Sequence, residues 1–291
     1  MESAQLIALR DMTQTIQVHK ITRSDIQQLD YDLPDFDSIT AALPSGLYTT
    51  FRTYADRAKV IGLRAHLDRL YLPAKSQGIV PAIRRQDDLR DTLANLLNRF
   101  DAPEARVRLI LDMAQEPGTI YLLLQPMNPL PPEIYRDGVS VEISKVSREK
   151  PSLKQTAFIS ESGFDRTRIG EGVFEILLTK KGRILEGITS NFFYVLNGEL
   201  CTAGRGVLIG VTRQTVLALA KKNHMEISYK ALALNDIPLI EEAFLTSSSR
   251  GVVPVVRVDG QLIEDGTVGE MTMKLMKLYN QQVLFVAENI I

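Results

Sequence analysis

The chain has 291 residues, 45% of them hydrophobic and 24% charged, and its formal net charge is -1 at pH 7. This length allows one large or two ordinary domains, and the balanced charge gives no basic surface of the kind that binds nucleic acid. No apolar run reaches the roughly 18 residues that span a membrane, and the first residues lack the pattern of a secretion signal. We therefore expect a cytoplasmic protein that acts on a small molecule, with neither nucleic acid nor a membrane as its partner.

The sequence does not indicate a metal site. Cys201 is the only cysteine, so neither an internal disulfide nor a cysteine-based metal site can form. His19, His66 and His224 lie far apart and lack the spacing of metal ligands. We expect no structural or catalytic metal.

The N-terminal part of the chain begins with predicted strands. Short apolar alternations within residues 1–40 predict edge strands or an arm that faces a partner. The β-branched and aromatic residues of Gly46–Tyr54 predict a strand, and Lys59–Leu63 is its predicted hairpin partner. Tyr48 and Thr50 then point to one face of this strand. Two helices and a second hairpin follow, with predicted bounds 63–77, 87–100, 106–113 and 119–124.

A proline cluster divides the chain. Residues 125–132 read Gln-Pro-Met-Asn-Pro-Leu-Pro-Pro, and no other segment is as rich in proline. Such a segment is typical of a linker between domains. We therefore predict an N-terminal domain of residues 1–125, a linker of residues 126–136 and a C-terminal domain of residues 137–291.

The C-terminal part alternates between predicted strands and tight turns. The turns are predicted at Lys181-Gly182, Asn197-Gly198 and Asp259-Gly260, since an Xaa-Gly pair between apolar runs is a strong hairpin signal. The segment 212–223 is the clearest helix of the chain, because it is rich in alanine, leucine and lysine. The other predicted elements are strands over 139–146, 173–178, 192–196 and 243–246 and a last helix over 268–286.

Two charged side chains in this part suggest a chemistry. Lys154 follows a predicted strand and has apolar neighbours, and Glu186 ends the strand after the Lys181-Gly182 turn. A lysine amine forms an imine with an aldehyde cofactor, of which pyridoxal phosphate is the usual one. That cofactor also needs an acidic residue to keep its ring nitrogen protonated. Lys154 and Glu186 could supply both groups if they face one pocket.

Four motifs in order resemble the fold-type IV pyridoxal-phosphate enzymes. This group contains the branched-chain aminotransferases, the D-amino-acid aminotransferases and the aminodeoxychorismate lyases. The motifs are His66-Leu67-Asp68-Arg69-Leu70, the Lys154 segment, Glu186-Gly187-x-x-Ser190-Asn191 and Gly210-Val211-Thr212-Arg213. A fifth, Thr246-Ser247-Ser248-Ser249 before Pro254, matches more loosely, and together they span about residues 45–280.

The resemblance implies a fold and a set of roles. The fold is α+β in two domains, a smaller N-terminal α/β sandwich and a larger C-terminal β-barrel-like domain with helices, and the enzymes are homodimers. Lys154 would carry pyridoxal 5'-phosphate as a Schiff base and move the substrate proton, with Glu186 at the ring nitrogen. The remaining implied roles are cofactor-phosphate binding by Arg69, Val211, Thr212 and Ser248 and substrate binding by Tyr48, Thr50, Ser249 and Arg250.

The predicted function is therefore transfer of an amino group between an amino acid and a 2-oxo acid. An aminodeoxychorismate lyase that releases pyruvate is the alternative, because Tyr48-Thr49-Thr50 resembles the corresponding strand of those enzymes. A ligand-binding protein without catalysis is less favoured, since a pure binder needs no proton-accepting amine. Two departures leave the substrate open: Leu111-Asp112-Met113 lacks the arginine of many D-amino-acid aminotransferases, and Ile159 replaces a tyrosine common in branched-chain enzymes.

Overall fold

Two β-sheets and eight α-helices make up the part of the chain that the structure, a computed structural model, describes: residues 16–145, 151, 153–170 and 172–290, without the side chain of Leu284. The predicted strand over 139–146 ends outside these residues. The strands in chain order are β1 Gln17–Ile21, β2 Ile26–Leu29, β3 Gly46–Tyr54, β4 Lys59–Ile61, β5 Ala105–Asp112, β6 Ile120–Pro126, β7 Val139–Ser144, β8 Glu175–Lys180, β9 Arg183–Gly187, β10 Asn191–Leu196, β11 Glu199–Thr202, β12 Ile227–Ser228, β13 Leu232–Ala233, β14 Glu242–Ser247, β15 Gly251–Val258, β16 Gln261–Leu262 and β17 Ala287–Asn289. The helices are α1 Phe36–Ala42, α2 Leu63–Ser76, α3 Gln86–Asn98, α4 Pro132–Asp137, α5 Ala157–Glu161, α6 Gly163–Thr167, α7 Val211–Lys222 and α8 Glu270–Val286, and Leu234–Leu239 forms a 3₁₀ helix.

The first sheet has seven strands in the order β17-β4-β3-β5-β6-β1-β2, and all neighbours are antiparallel. Helices α2 and α3 cover one face, where Leu67 and Leu93 pack with Val107 and Leu109 of β5. Helix α1 covers the other face with Phe36. Because both faces are covered, β5 reads as a nearly continuous buried strand.

The second sheet has ten strands and closes on itself. Its order is β12-β11-β10-β14-β15-β7-β8-β9-β13, with β16 added beside β15. An extra pairing joins β9 to β10, where Asn191 lies opposite Glu186, so six strands form a closed barrel. The barrel interior is filled by apolar side chains such as Leu177, Phe192 and Leu245.

Helices α7 and α8 pack on the outside of this barrel. They contribute Val216 and Leu275 to a core in which the rings of Phe193 and Phe244 stack with centroids 4.8 Å apart. The mixed α and β content and the barrel-like sheet agree with the predicted α+β fold. No helix within the described ranges is long and apolar enough to cross a membrane.

The predicted hairpin turns have the backbone that their sequences require. Lys181 and Gly182 have φ values of 50° and 70°, and Asn197 and Gly198 have values of 52° and 72°. Two consecutive residues with positive φ match the right-handed twist of the flanking strands. These turns set the pairing next to them, of Lys180 with Arg183 and of Leu196 with Glu199. The register of β8 with β9 shifts between Leu178 and Thr179, and beyond this shift Glu186 pairs with Leu178.

The domain boundaries stay a prediction. The first sheet draws six of its strands from residues before the proline cluster, and the second sheet draws all of its strands from residues after it. The last strand, β17, pairs with β4 of the first sheet. Residues 287–289 are therefore hydrogen-bonded to the first sheet, although they fall within the predicted C-terminal domain of residues 137–291.

Candidate active site

A cavity of about 480 Å³ lies between the first sheet and the barrel. Strands β3 and β5 form one wall, and the start of α7 with the loop between β9 and β10 forms another. The structure brings together in this cavity all ten side chains to which the sequence assigned a role: Tyr48, Thr50, Arg69, Lys154, Glu186, Val211, Thr212, Ser248, Ser249 and Arg250.

Lys154 is held against β3 by backbone hydrogen bonds. The Tyr48 N–H donates to the Lys154 carbonyl at 2.8 Å, and the Thr156 N–H donates to the Gly46 carbonyl at 2.9 Å. The Lys154 amine lies 4.9 Å from the centroid of the Tyr48 ring. The lysine belongs to the C-terminal half of the chain, yet a strand of the first sheet fixes its backbone and side chain.

Glu186 is buried, with 2% of its surface exposed. Its Oε2 accepts hydrogen bonds from the Leu208 N–H at 2.9 Å and from the Asn191 side-chain amide at 3.3 Å. The same amide donates to the Leu208 carbonyl at 2.8 Å, so Asn191 joins the barrel to the loop before α7. Burial lowers the pKa of nearby Arg213, although the charge of Glu186 partly opposes this effect.

The start of α7 suits an anion. Gly210, Val211 and Thr212 line the cavity at the helix N-terminus, where backbone N–H groups lack partners within the helix. Arg69 reaches this point from α2 and donates from Nη2 to the Ile209 carbonyl at 2.8 Å. A Cβ on Gly210 would lie 2.1 Å from the Asn191 Oδ1, so only glycine permits this close approach.

Thr246 adds an orphaned polar atom to the cavity. Its Oγ1 is buried and has no hydrogen-bond partner in the described part of the chain. A buried hydroxyl without a partner costs about 1–3 kcal/mol, which an anion bound at this position would relieve. Arg69, the first turn of α7 and the Thr246 hydroxyl together fit a phosphate group. The sequence did not assign Thr246 a role, although it directly precedes the serine run.

Glu175 was also missed from the sequence. It is fully buried in β8, and its Oε2 accepts from the Thr189 N–H, the Thr189 and Ser190 hydroxyls and Arg250 Nη2. Arg250 also donates from Nε to the Ser247 hydroxyl at 3.1 Å. One carboxylate thus joins two segments that line the cavity. The sequence signal for Glu175 was that it is the one charged residue in the otherwise apolar run of residues 173–178.

Two arginines of β5 line the cavity as well. The sequence has no arginine at Leu111-Asp112-Met113, where many D-amino-acid aminotransferases have one. Arg106 and Arg108 lie earlier in β5 and line the cavity. Their spacing of two residues, which places both on one face of a strand, was the available signal. Arg108 is buried and bonded to Asp37 Oδ1 at 2.7 Å.

Asp37 also accepts from Arg166 Nη1 at 2.7 Å. Burial raises the pKa of Asp37, but Arg108 and Arg166 outweigh this effect, so the pKa lies below its usual value. Asp37 is therefore an anion that neutralises part of this wall. No group of three or more His, Cys, Asp or Glu side chains in the described ranges could hold a metal ion.

A closed barrel and a cavity between two sheets agree with the fold that the sequence resemblance implies. The family model for amino-transferase class IV matches residues 46–258. A protein from Methanocaldococcus jannaschii, provisionally named a branched-chain-amino-acid aminotransferase, is 31% identical over 253 residues, which are 80% of this chain and 85% of that protein. The chain belongs to the class IV aminotransferase family, and it is an enzyme of amino-group transfer.

Solved structures share the fold. A crystal structure from Thermotoga maritima, provisionally named a branched-chain amino acid aminotransferase, has a TM-score of 0.76 and 27% identity over 92% of this chain and 96% of that chain. A branched-chain amino acid aminotransferase from T.th., solved with pyridoxamine 5'-phosphate, has a TM-score of 0.79 and 18% identity over 94% and 98% of the two chains. The second likeness concerns the fold alone.

Proposed function

We propose that the protein uses pyridoxal 5'-phosphate to transfer an amino group between an amino acid and a 2-oxo acid. The observation that carries this proposal is the shared cavity of the Lys154 amine, the buried Glu186 carboxylate and the anion site at α7. Pyridoxal phosphate, when bound, supplies an electron sink for the bonding electrons at the substrate Cα. The donor set of the cavity fits this cofactor at its aldehyde, its ring nitrogen and its phosphate.

The phosphate would be held at the start of α7. Arg69 offers a planar fork of donors, the N–H groups of Val211 and Thr212 point along the helix axis, and Ser248 offers a hydroxyl. We add Thr246 to this group because its buried hydroxyl lacks a partner among the described residues. These contacts bind the cofactor and orient its ring, but they do not take part in proton transfer.

Lys154 and Glu186 would act at opposite ends of the ring. The Leu208 N–H and the Asn191 amide hold the Glu186 carboxylate in place, so that it can keep the ring nitrogen protonated. Lys154 would hold the cofactor at its aldehyde end, and its amine would serve as the general base for the proton at the substrate Cα. Tyr48 and Thr50 from the first sheet and Ser249 and Arg250 from the barrel would position the substrate.

Reduction with borohydride tests this proposal. In the wild-type protein loaded with cofactor, reduction should fix the cofactor to Lys154, which peptide mass spectrometry detects. Lys154→Ala should give no such adduct, whereas the matched control Lys180→Ala, which changes an exposed lysine at the end of β8, should keep it. An adduct that persists in Lys154→Ala would contradict the assignment of this lysine.

The products distinguish amino-group transfer from the lyase reaction, the alternative that the sequence leaves open. An aminotransferase gives a new amino acid only when a 2-oxo acid is added as acceptor, and the lyase releases pyruvate from aminodeoxychorismate without any acceptor. We expect the first result. A homodimer and a cytoplasmic location are part of the proposal, and sedimentation of the purified protein tests the oligomer.

A further inference from the structure

A second cavity lies beside the start of α7, and we call it the outer cavity. Its volume is about 750 Å³. Its walls are β9, the first turns of α7, the loop after β11 and the segment between β12 and β13. Of the described residues that line it, only Arg213 also lines the cavity of the candidate active site. The two cavities are therefore neighbours that share one side chain.

Three arginines line the outer cavity. Arg183 on β9 donates from Nη1 to the Ala231 carbonyl at 3.1 Å, which fixes one edge of its guanidinium. Arg205, in the loop after β11, is exposed and makes no hydrogen bond or ion pair with any described residue. The third is Arg213. No Asp or Glu of the described ranges lines this cavity, so an anion would meet three cations and no competing carboxylate.

Arg213 is the buried cation of the outer cavity. Only 3% of its surface is exposed, and its Nη2 donates to the Ala203 carbonyl at 3.0 Å. Its Nε is buried without a hydrogen-bond partner, and no carboxylate of the described residues forms an ion pair with it. Burial is the main cause that lowers the pKa of Arg213, because a charge without a counterion is disfavoured there. A bound anion would supply the missing counterion.

Tyr229 adds an aromatic ring beside these cations. It lies between β12 and β13, and 55% of its surface is exposed. A Cβ on Gly204 would lie 2.9 Å from the Tyr229 Cβ, so the loop after β11 packs directly against this residue. Leu185 and Leu217 form the apolar part of the lining. An exposed ring that is held beside cations offers a face on which a planar ring can stack.

We propose that the outer cavity binds a phosphate monoester that carries a planar ring. Arg183, Arg205 and Arg213 would bind the phosphate, and the ring would stack on Tyr229. A phosphate monoester carries roughly two negative charges and three acceptor oxygens, which suit several guanidinium groups better than a single carboxylate does. The proposal goes beyond the function proposed above, because this ligand neither enters the candidate active site nor reacts there. Nucleoside monophosphates and phosphorylated pyridines both have this chemistry.

Binding to protein whose active-site cavity is already filled tests the proposal. Borohydride reduction of the cofactor-loaded protein keeps the cofactor attached, so that added compounds reach other sites. The compounds are adenosine 5'-monophosphate, pyridoxine 5'-phosphate, adenosine and inorganic phosphate. Calorimetry at pH 7 should show at least one of the two esters bound at one site per chain, about tenfold or more tightly than adenosine and inorganic phosphate.

The four compounds also separate the possible ligands. The ester that binds more tightly identifies a nucleotide or a pyridine as the source of the phosphate. Adenosine lacks the phosphate and inorganic phosphate lacks the ring, so each measures one half of the proposed contact. Absence of saturable binding for both esters would overturn the proposal, and so would binding of adenosine or inorganic phosphate as tight as that of the esters.

Arginine variants place the phosphate. Arg183→Gln and Arg205→Gln should each weaken ester binding about fivefold or more, and both should leave the affinity for pyridoxal 5'-phosphate unchanged. Arg90→Gln, at an exposed position of α3 that lines neither cavity, is the matched control and should change no affinity. Full ester affinity in either Arg183→Gln or Arg205→Gln would refute a phosphate held by these arginines.

Variants of Tyr229 place the ring. Tyr229→Ala should weaken ester binding about fivefold and change the binding of inorganic phosphate less than twofold, whereas Tyr229→Phe keeps the ring and should retain the ester affinity. Equal losses for ester and inorganic phosphate, or a loss in Tyr229→Phe as large as in Tyr229→Ala, would contradict stacking on this ring. Arg183, Arg205 and Tyr229 line only the outer cavity, so these variants locate the ester whether or not reduction attaches a cofactor. A failed reduction and a failed outer site are therefore separate results.

Discussion

Replacement of Glu175 by glutamine is the sharpest test of how the cavity is held together. The Glu175 Oε2 accepts from the Thr189 N–H at 3.2 Å, the Thr189 hydroxyl at 2.5 Å, the Ser190 hydroxyl at 3.0 Å and Arg250 Nη2 at 3.3 Å. Glu175 is fully buried, and the Arg250 side chain is 20% exposed. Glutamine has nearly the same shape but carries no charge. Its NH2 group must also replace one of two accepting oxygens, because the Ile176 N–H donates to Oε1 at 3.1 Å.

The size of the effect follows from these contacts. A hydrogen bond to a charged group contributes about 1.5–3 kcal/mol, and a neutral one contributes about 0.5–1.5 kcal/mol. Four bonds therefore lose about 1 kcal/mol each, and the remaining amide oxygen recovers part of this loss. We expect Glu175→Gln to lower the free energy of unfolding by about 3 kcal/mol. Glu175→Asp keeps the charge and should lose less.

Urea unfolding and cofactor titration measure the two consequences. The matched control Glu199→Gln, at an exposed position on β11, should stay within about 0.5 kcal/mol of the wild type. Glu175→Gln should also weaken cofactor binding, because both segments that the carboxylate joins line the cavity. If Glu175→Gln unfolds at the same urea concentration as Glu199→Gln, the buried carboxylate does not organise the site.

Two other changes give distinct readouts. Gly210→Ala would bring a Cβ within 2.1 Å of the Asn191 Oδ1. We therefore expect about tenfold weaker cofactor binding in a spectral titration. An unchanged cofactor affinity would contradict this reasoning. Asp112→Asn removes a carboxylate that accepts hydrogen bonds from three backbone N–H groups at 2.7, 3.1 and 2.9 Å. Urea unfolding should show a free energy of unfolding that is lower by about 1–2 kcal/mol, and the cofactor affinity should stay unchanged.

Local patterns made much of the site predictable. The Lys181-Gly182 turn predicted where β9 begins, and the helix signal over 212–223 came within one residue of the observed helix start at Val211. Both signals depend on residues that are close in sequence. The register shift between Leu178 and Thr179, on which the pairing of Glu186 depends, had no such signal. The spacing of Lys154 and Glu186 added the family resemblance, which the family match to residues 46–258 confirms.

Contacts between distant residues were not predictable in the same way. Asp37 lies 71 residues from Arg108 and 129 residues from Arg166, and it binds both of them in the folded chain. No periodicity or turn signal links such positions, because only the packing of α1 and α6 beside β5 brings them together. Glu175 was hidden for a related reason, since a buried carboxylate inside an apolar strand becomes interpretable only when its four donors are known.

The residues that the sequence predicted and those that it did not differ in their place in the cavity. The motif residues lie mainly in the barrel and at the start of α7, where they fit the cofactor that a whole class of enzymes shares. The unpredicted cations Arg106 and Arg108 lie on β5 of the first sheet and line the cavity from that side. More cationic than anionic side chains line the cavity, although the net charge of the whole chain is -1. A cleft lined by charges of one sign raises the local concentration of oppositely charged ligands. The wall that the motifs do not specify therefore carries cationic side chains that attract an anionic ligand.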